Sequence, residues 1–190
     1  MLTPLVLLVL STAPTQAAQP TSPPPKPFDC SAPEYRQFDF WLGDWDVVLN
    51  PATPRPAGAP PVNPNRKPAH NVIEKIQGGC VVHENWDDGI GGTGQSFNIY
   101  DRVKKRWQQT WVDNGGGLHE YWGSLIDGKM VYVGEVPTGP AQPFAGRRTL
   151  RVTFESMGPD KMRQFSESLR SDGTWILNYD LIYTRRATAR

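Results

Sequence analysis

Beyond residue 40 the chain runs in short stretches where apolar or aromatic residues alternate with polar ones, a period of two that belongs to strands rather than helices. Such stretches occupy residues 41–50, 72–77, 80–86, 94–101, 106–113, 118–126, 130–136, 148–156, 161–170 and 174–185, and predict about ten strands. Between them stand Gly78-Gly79, residues 101–104, Asn114-Gly115-Gly116, Asp127-Gly128, Gly158-Pro159-Asp160 and Ser171-Asp172-Gly173, which supply positive φ or tight reversals. Links this short make sequential strands antiparallel neighbours. An up-and-down order of so many twisted strands tends to close on itself, which removes exposed edges. The expected fold is therefore all-β, a single antiparallel up-and-down barrel. A short N-terminal helix is expected over residues 32–38, with Ser31 as N-cap and Pro33 near its start. A two-sheet sandwich is the competing architecture, but it needs crossover links. The only long links are residues 51–68, which hold seven prolines and must form a surface loop, and residues 137–145.

Alternation sorts each strand into two faces. Cys80, Val82, Glu84 and Trp86 share one, as do Trp107, Gln109, Trp111 and Asp113, then Leu118, Glu120, Trp122 and Ser124, and finally Trp175, Leu177, Tyr179, Leu181 and Tyr183. With the indole-bearing faces turned inward, Trp86, Trp107, Trp111 and Trp122 wall a cavity. Glu84, Gln109 and Glu120 are then its orienting polar groups, and the expected partner is a small apolar or amphipathic ligand. Arg151 or Arg163 is expected to reach in and pair with a buried carboxylate. Two other readings stay open. Glu84 and Glu120 together suggest an acid–base barrel enzyme, one carboxyl being raised in pKa; alternatively, the rings fill the barrel and the protein is a structural module of the cell envelope.

The length, 190 residues, allows one domain, expected over residues 30–186 after a signal peptide at 1–17 and a Pro-rich linker at 18–29. Residues 2–10 are mostly apolar, too short a run to span a bilayer but suited to a signal-peptide core, though no Lys or Arg precedes it. Small residues at Thr15 and Ala17 place cleavage after Ala17, with Ala18 as the alternative. A periplasmic or secreted protein follows, with no membrane attachment once the leader is removed. The net charge of +1, from 20 basic and 19 acidic residues, argues against nucleic acid as a partner. In an oxidising compartment Cys30 and Cys80, the only cysteines, are expected to form a disulfide. His70, His83 and His119 lie on separate segments without metal-ligand spacing, and the GIGGTG run at 89–94 lacks the Lys-Ser/Thr of a phosphate loop. No metal, cofactor or catalytic residue is nominated.

The run FDFWLGDWDV at residues 38–47 resembles the opening of a widespread family of secreted bacterial proteins, a domain of unknown function thought to form lipocalin-like, calycin-type barrels. Gly78-Gly79-Cys80-Val81-Val82 leading to Glu84 and Trp86, GQSFNIYD at 94–101 and WQQTWVDN at 107–114 extend the resemblance. With the closing strand it covers nearly all of the chain after Cys30, and it implies fold and compartment but no reaction. Gly43-x-Trp45 also resembles the G-x-W element of lipocalins, in which the Trp closes the barrel floor against a basic residue of the last strand. That likeness implies a pairing of Trp45 with Arg185, or with Arg186 if the strand is one residue out of step. The related nitrobindins hold haem through a His near the C-terminus; here the last His is His119, so haem is not expected.

Overall fold

The computed structural model describes residues 29–55, 58, 63, 65–137 and 146–187. The expected signal peptide, residues 18–28 of the linker, residues 56–57, 59–62 and 64 of the Pro-rich segment, and residues 138–145 lie outside that set.

Ten strands follow in chain order: β1 (Gly43–Leu49), β2 (Ala69–Ile76), β3 (Val81–Asp87), β4 (Thr93–Asp101), β5 (Arg106–Asp113), β6 (Leu118–Ile126), β7 (Lys129–Pro137), β8 (Arg147–Ser156), β9 (Lys161–Leu169) and β10 (Trp175–Arg185). Each pairs antiparallel with its chain neighbours, and β10 pairs with β1 to close an up-and-down barrel. The hairpin residues act as their chemistry requires. Asp101 accepts from the backbone N–H groups of Val103 and Lys104, and Asp113 accepts from those of Gly115 and Gly117. Because links alternate between ends, β2–β3, β4–β5, β6–β7 and β8–β9 turn at one end of the barrel, and β2, β4, β6, β8 and β10 begin at the opposite end.

The first end is closed by the segment before β1. The expected short helical segment is present as two 3-10 turns, Pro33–Arg36 and Asp39–Trp41, because Phe38 between them leaves helical geometry. Ala32, not Ser31, holds the N-cap position; the Ser31 hydroxyl instead donates to Asp29 at 2.9 Å. Phe38 and Trp41 are 0% exposed and insert into the barrel. Phe38 stacks on Trp41 with centroids 4.8 Å apart and meets Phe154 and Trp107 edge-on. Trp45, Met130, Tyr132, Met162 and Tyr183 complete this plug, so half of the barrel is solid aromatic core.

Trp45 anchors the plug to the last strand. Its indole N–H donates to the Trp41 carbonyl at 2.9 Å, and the Arg185 guanidinium lies 4.2 Å from its ring centroid. Arg185 also donates to the carbonyls of Leu42 and Pro159. Gly43 makes this possible: at φ 139° a Cβ there would stand 2.0 Å from Arg185 Nη1. Arg186 instead lies at the surface beside Asp44 and Asp46. The Cys30–Cys80 disulfide, with Cα atoms 5.0 Å apart, ties the start of the plug to the start of β3.

Two expectations about faces are corrected here. In an antiparallel ladder directly opposed residues share a face. Trp107 opposes Gly123, Gln109 opposes Tyr121 and Trp111 opposes His119, so inward Trp107, Gln109 and Trp111 turn Glu120 and Trp122 outward. In β10 a bulge between Leu177 and Tyr179 breaks the alternation. Tyr179, Leu181 and Tyr183 face inward, whereas Leu177 is exposed and Trp175 carries Arg151 on its ring at 4.2 Å.

Candidate ligand-binding cavity

Above the plug the barrel holds a cavity of about 370 Å³ that reaches toward the end where β6 and β8 begin. Trp86, Trp111, Tyr121, Leu150, Val152, Tyr179, Leu181 and Tyr183 supply its apolar wall, and Glu84, Gln109, Gln164, Ser166 and Asn178 its polar groups. His119 and Arg148 contribute near the rim, where β6 and β8 begin. The volume lies within the range of small-ligand sites and is equivalent to about a dozen waters.

Of the residues nominated from sequence, Glu84, Trp86, Gln109 and Trp111 line this cavity. Three do not. Trp107 is 1% exposed but belongs to the plug, where its N–H donates to the Gln37 side chain at 3.0 Å. Glu120 is exposed on the outer face, and Trp122 lies outside beneath Arg106, 5.3 Å from its centroid. The physical reason is the β5–β6 register given above. An acid–base pair of Glu84 and Glu120 is excluded by the same geometry, since the wall separates the two carboxyls. Arg151 and Arg163 also stay outside, held by Glu167 and Asp180 at 2.8 Å each.

Trp111 keeps its place as a wall through two local features. Its N–H donates to Asp113 at 3.0 Å, and its ring lies flat against Gly94, where a Cβ would come within 2.3 Å. That hydrogen bond, with those from Gly117 and Gly115, holds the Asp113 carboxyl below its usual range.

The polar side of the cavity is one connected network. Asn71 Nδ2 donates to Glu84 Oε1 at 2.8 Å and to the Tyr183 hydroxyl at 3.3 Å. Ser96 Oγ donates to Glu84 Oε2 at 2.6 Å while accepting from Asn98 Nδ2 at 2.9 Å and Gln109 Nε2 at 3.4 Å. Gln109 and the Tyr132 hydroxyl both donate to Asn98 Oδ1, and the Tyr183 hydroxyl donates to Gln164.

Glu84 and Asp180 show what partnership does to a buried carboxyl. Burial raises both, but Asp180 accepts two bonds from Arg163 and others from Thr53 and Asn50, which carry it below the usual range. Glu84 has no Lys or Arg against it among the described residues, and burial pushes it up to about 7 in spite of the bonds from Ser96 and Asn71 and a weaker pull from His83. Burial likewise raises Tyr179, Tyr132 and Tyr183, and pushes Tyr121 up to about 12. Desolvation lowers His119, with Asp113 opposing and Arg148 adding to the shift.

Glu84 therefore links stability to pH. A folded-state value near 7 against the usual 4.5 means that the folded protein keeps a proton the unfolded chain releases, so stability falls as pH rises through that window. The loss amounts to about 3 kcal/mol by pH 8. Glu84→Gln removes it, while His119, which acts in the opposite sense below its usual value, is common to both proteins. Urea unfolding at pH 5 and pH 8 should show the variant gaining on the wild type by about 2.5 kcal/mol at the higher pH, the rest of the loss having already occurred below pH 5. A gap independent of pH would contradict the assignment.

Sequence reasoning missed Asn71, Ser96, Asn98, His119, Tyr121, Gln164 and Ser166. The signal lay in β4 and β9, where polarity is inverted: Ser96 and Asn98 are buried while Phe97 and Ile99 are 44% and 40% exposed, and Gln164 and Ser166 face the cavity while Arg163 covers Phe165 outside. A hydrophobic-inside rule reads such strands backwards. Among the described residues no group of three or more His, Cys, Asp or Glu side chains is placed to hold a metal ion. No protein-family model matches the chain, and no curated protein matches it in sequence.

Proposed function

We propose that this protein is an exported lipocalin-like barrel that binds a small, mainly apolar molecule with one polar end. The observation that carries the reading is a cavity of about 370 Å³ with aromatic walls and a connected polar network, in a barrel whose other half is filled. Burying Glu84, Ser96, Asn98 and Gln109 is costly, and a purely structural barrel gains more from apolar filler at those positions. A ligand that must be oriented gives those groups a purpose. The disulfide supports the exported compartment, and the resemblance of residues 38–47 to secreted barrels points the same way.

Native mass spectrometry of the protein purified from its own host tests the proposal. A bound small molecule is expected, and Leu150→Trp, which fills the cavity from β8, should abolish it while leaving the far-ultraviolet circular dichroism of the barrel unchanged. Protein that is empty from every preparation, with no uptake from a host lipid and metabolite extract, would overturn the reading.

A further inference from the structure

We propose that the polar end of the ligand is a protonated amine, held by the Glu84 carboxylate within the aromatic walls of the cavity. This rests on the binding reading above and goes beyond it by specifying the ligand's charge.

The orientation of the network is the first reason. Ser96 Oγ accepts from both Asn98 and Gln109, which leaves its own proton for Glu84 Oε2. Asn98 accepts on Oδ1 from Gln109 and Tyr132, which commits its amino group to Ser96 and the Val82 carbonyl. Asn71 presents its amino group to Glu84 Oε1. Every partner of Glu84 is thus a donor, an arrangement suited to a carboxylate rather than a carboxylic acid. A carboxylate offers about four lone-pair sites, and the protein occupies one on each oxygen, so about two are left for a guest donor.

The missing counter-charge is the second reason. Glu84 is 4% exposed and lines the cavity, yet no Lys or Arg among the described residues touches it. The titratable groups around it are Tyr132 of β7, Tyr179 and Tyr183 of β10, His119 and Tyr121 of β6, Arg148 of β8 and, on its own strand's opposite face, His83. β2, β4, β5 and β9 face it or the cavity with uncharged Asn71, Ser96, Asn98, Gln109, Gln164 and Ser166. Arg148 is the one permanent cation among them, and it is exposed at the rim, where water screens it. A buried carboxylate without a partner is the costly half of an ion pair, and an ammonium group completes it. Trp86, Trp111, Tyr121 and Tyr179 line the same space, and wherever a ring face meets the guest it favours a cation over an anion.

Titration calorimetry with three matched probes, 2-phenylethylamine, 2-phenylethanol and 3-phenylpropanoate, separates the possibilities. Near pH 8, where Glu84 is ionised, the amine should bind at least roughly tenfold more tightly than either other probe, about 1.4 kcal/mol. That advantage should shrink toward pH 5.5 as Glu84 takes up its proton, the amine staying charged throughout. Glu84→Gln should lose the preference for the amine over the alcohol. The pH series on the wild type stands whether or not the variant folds. Equal binding of amine and alcohol, or tightest binding of the propanoate, would overturn the amine inference and leave the binding reading intact. Failure of all three at millimolar concentration would count against both.

Discussion

Truncating Trp45 to alanine should destabilise the barrel by about 3–5 kcal/mol, the range for removing a fully buried large aromatic side chain. Trp45 is 0% exposed, donates to the Trp41 carbonyl and carries the Arg185 guanidinium on its ring. Its loss leaves a cavity in the solid half of the barrel and removes the surface against which Arg185 is held. Trp111→Ala makes the useful contrast. That indole is only half-buried and borders space that is already open, so its removal should cost distinctly less while enlarging the cavity. Chemical denaturation of the two variants side by side checks the division of the barrel into a packed floor and a hollow upper half. Equal costs would mean that the division has no energetic reality.

Removing the disulfide, by Cys30→Ser with Cys80→Ser, should have an effect of similar size. The bond closes a separation of 50 residues, for which loop-closure entropy gives an upper figure of about 4 kcal/mol. For a domain of this size that is a fall in melting temperature of about 10 °C. The loop so closed contains both 3-10 turns, β1, the Pro-rich segment and β2. Its opening frees the end of the segment that inserts Phe38 and Trp41 into the barrel. Thermal unfolding with and without reductant measures this directly, and a shift of less than about 2 °C would show that the plug is held by its aromatic contacts alone.

The two predictions concern the filled half of the barrel, which was the half more readable from sequence. The dense aromatic run at residues 38–47, the Gly43-x-Trp45 spacing and the two cysteines all mark it without knowledge of any partner strand. The cavity was less accessible. Glu84, Trp86, Gln109 and Trp111 were found because bulky rings and isolated polar residues shared a face, but the same rule misplaced Glu120, Trp122 and Trp107. Trp122 is as large and as apolar as Trp111. Nothing within β5 or β6 taken alone says that one belongs outside and the other inside.

Local chemistry determined the number of strands and their antiparallel sequence, since a period of two and residues tolerant of positive φ act over a few positions and need no distant contact, whereas closure is made by the distant pairing of β1 with β10. Alternation, however, only divides a strand into two faces and leaves unsaid which of them is inner. That sign comes from cross-strand register, and a shift of one residue reverses it for a whole strand. Register turned Glu120 outward and His119 inward, and the bulge before Tyr179 reversed β10 midway. Tertiary structure alone decided that the Glu84 carboxyl has no Lys or Arg against it among the described residues, because Arg151 and Arg163 face the other way and pair with Glu167 and Asp180 on the outer side of the wall.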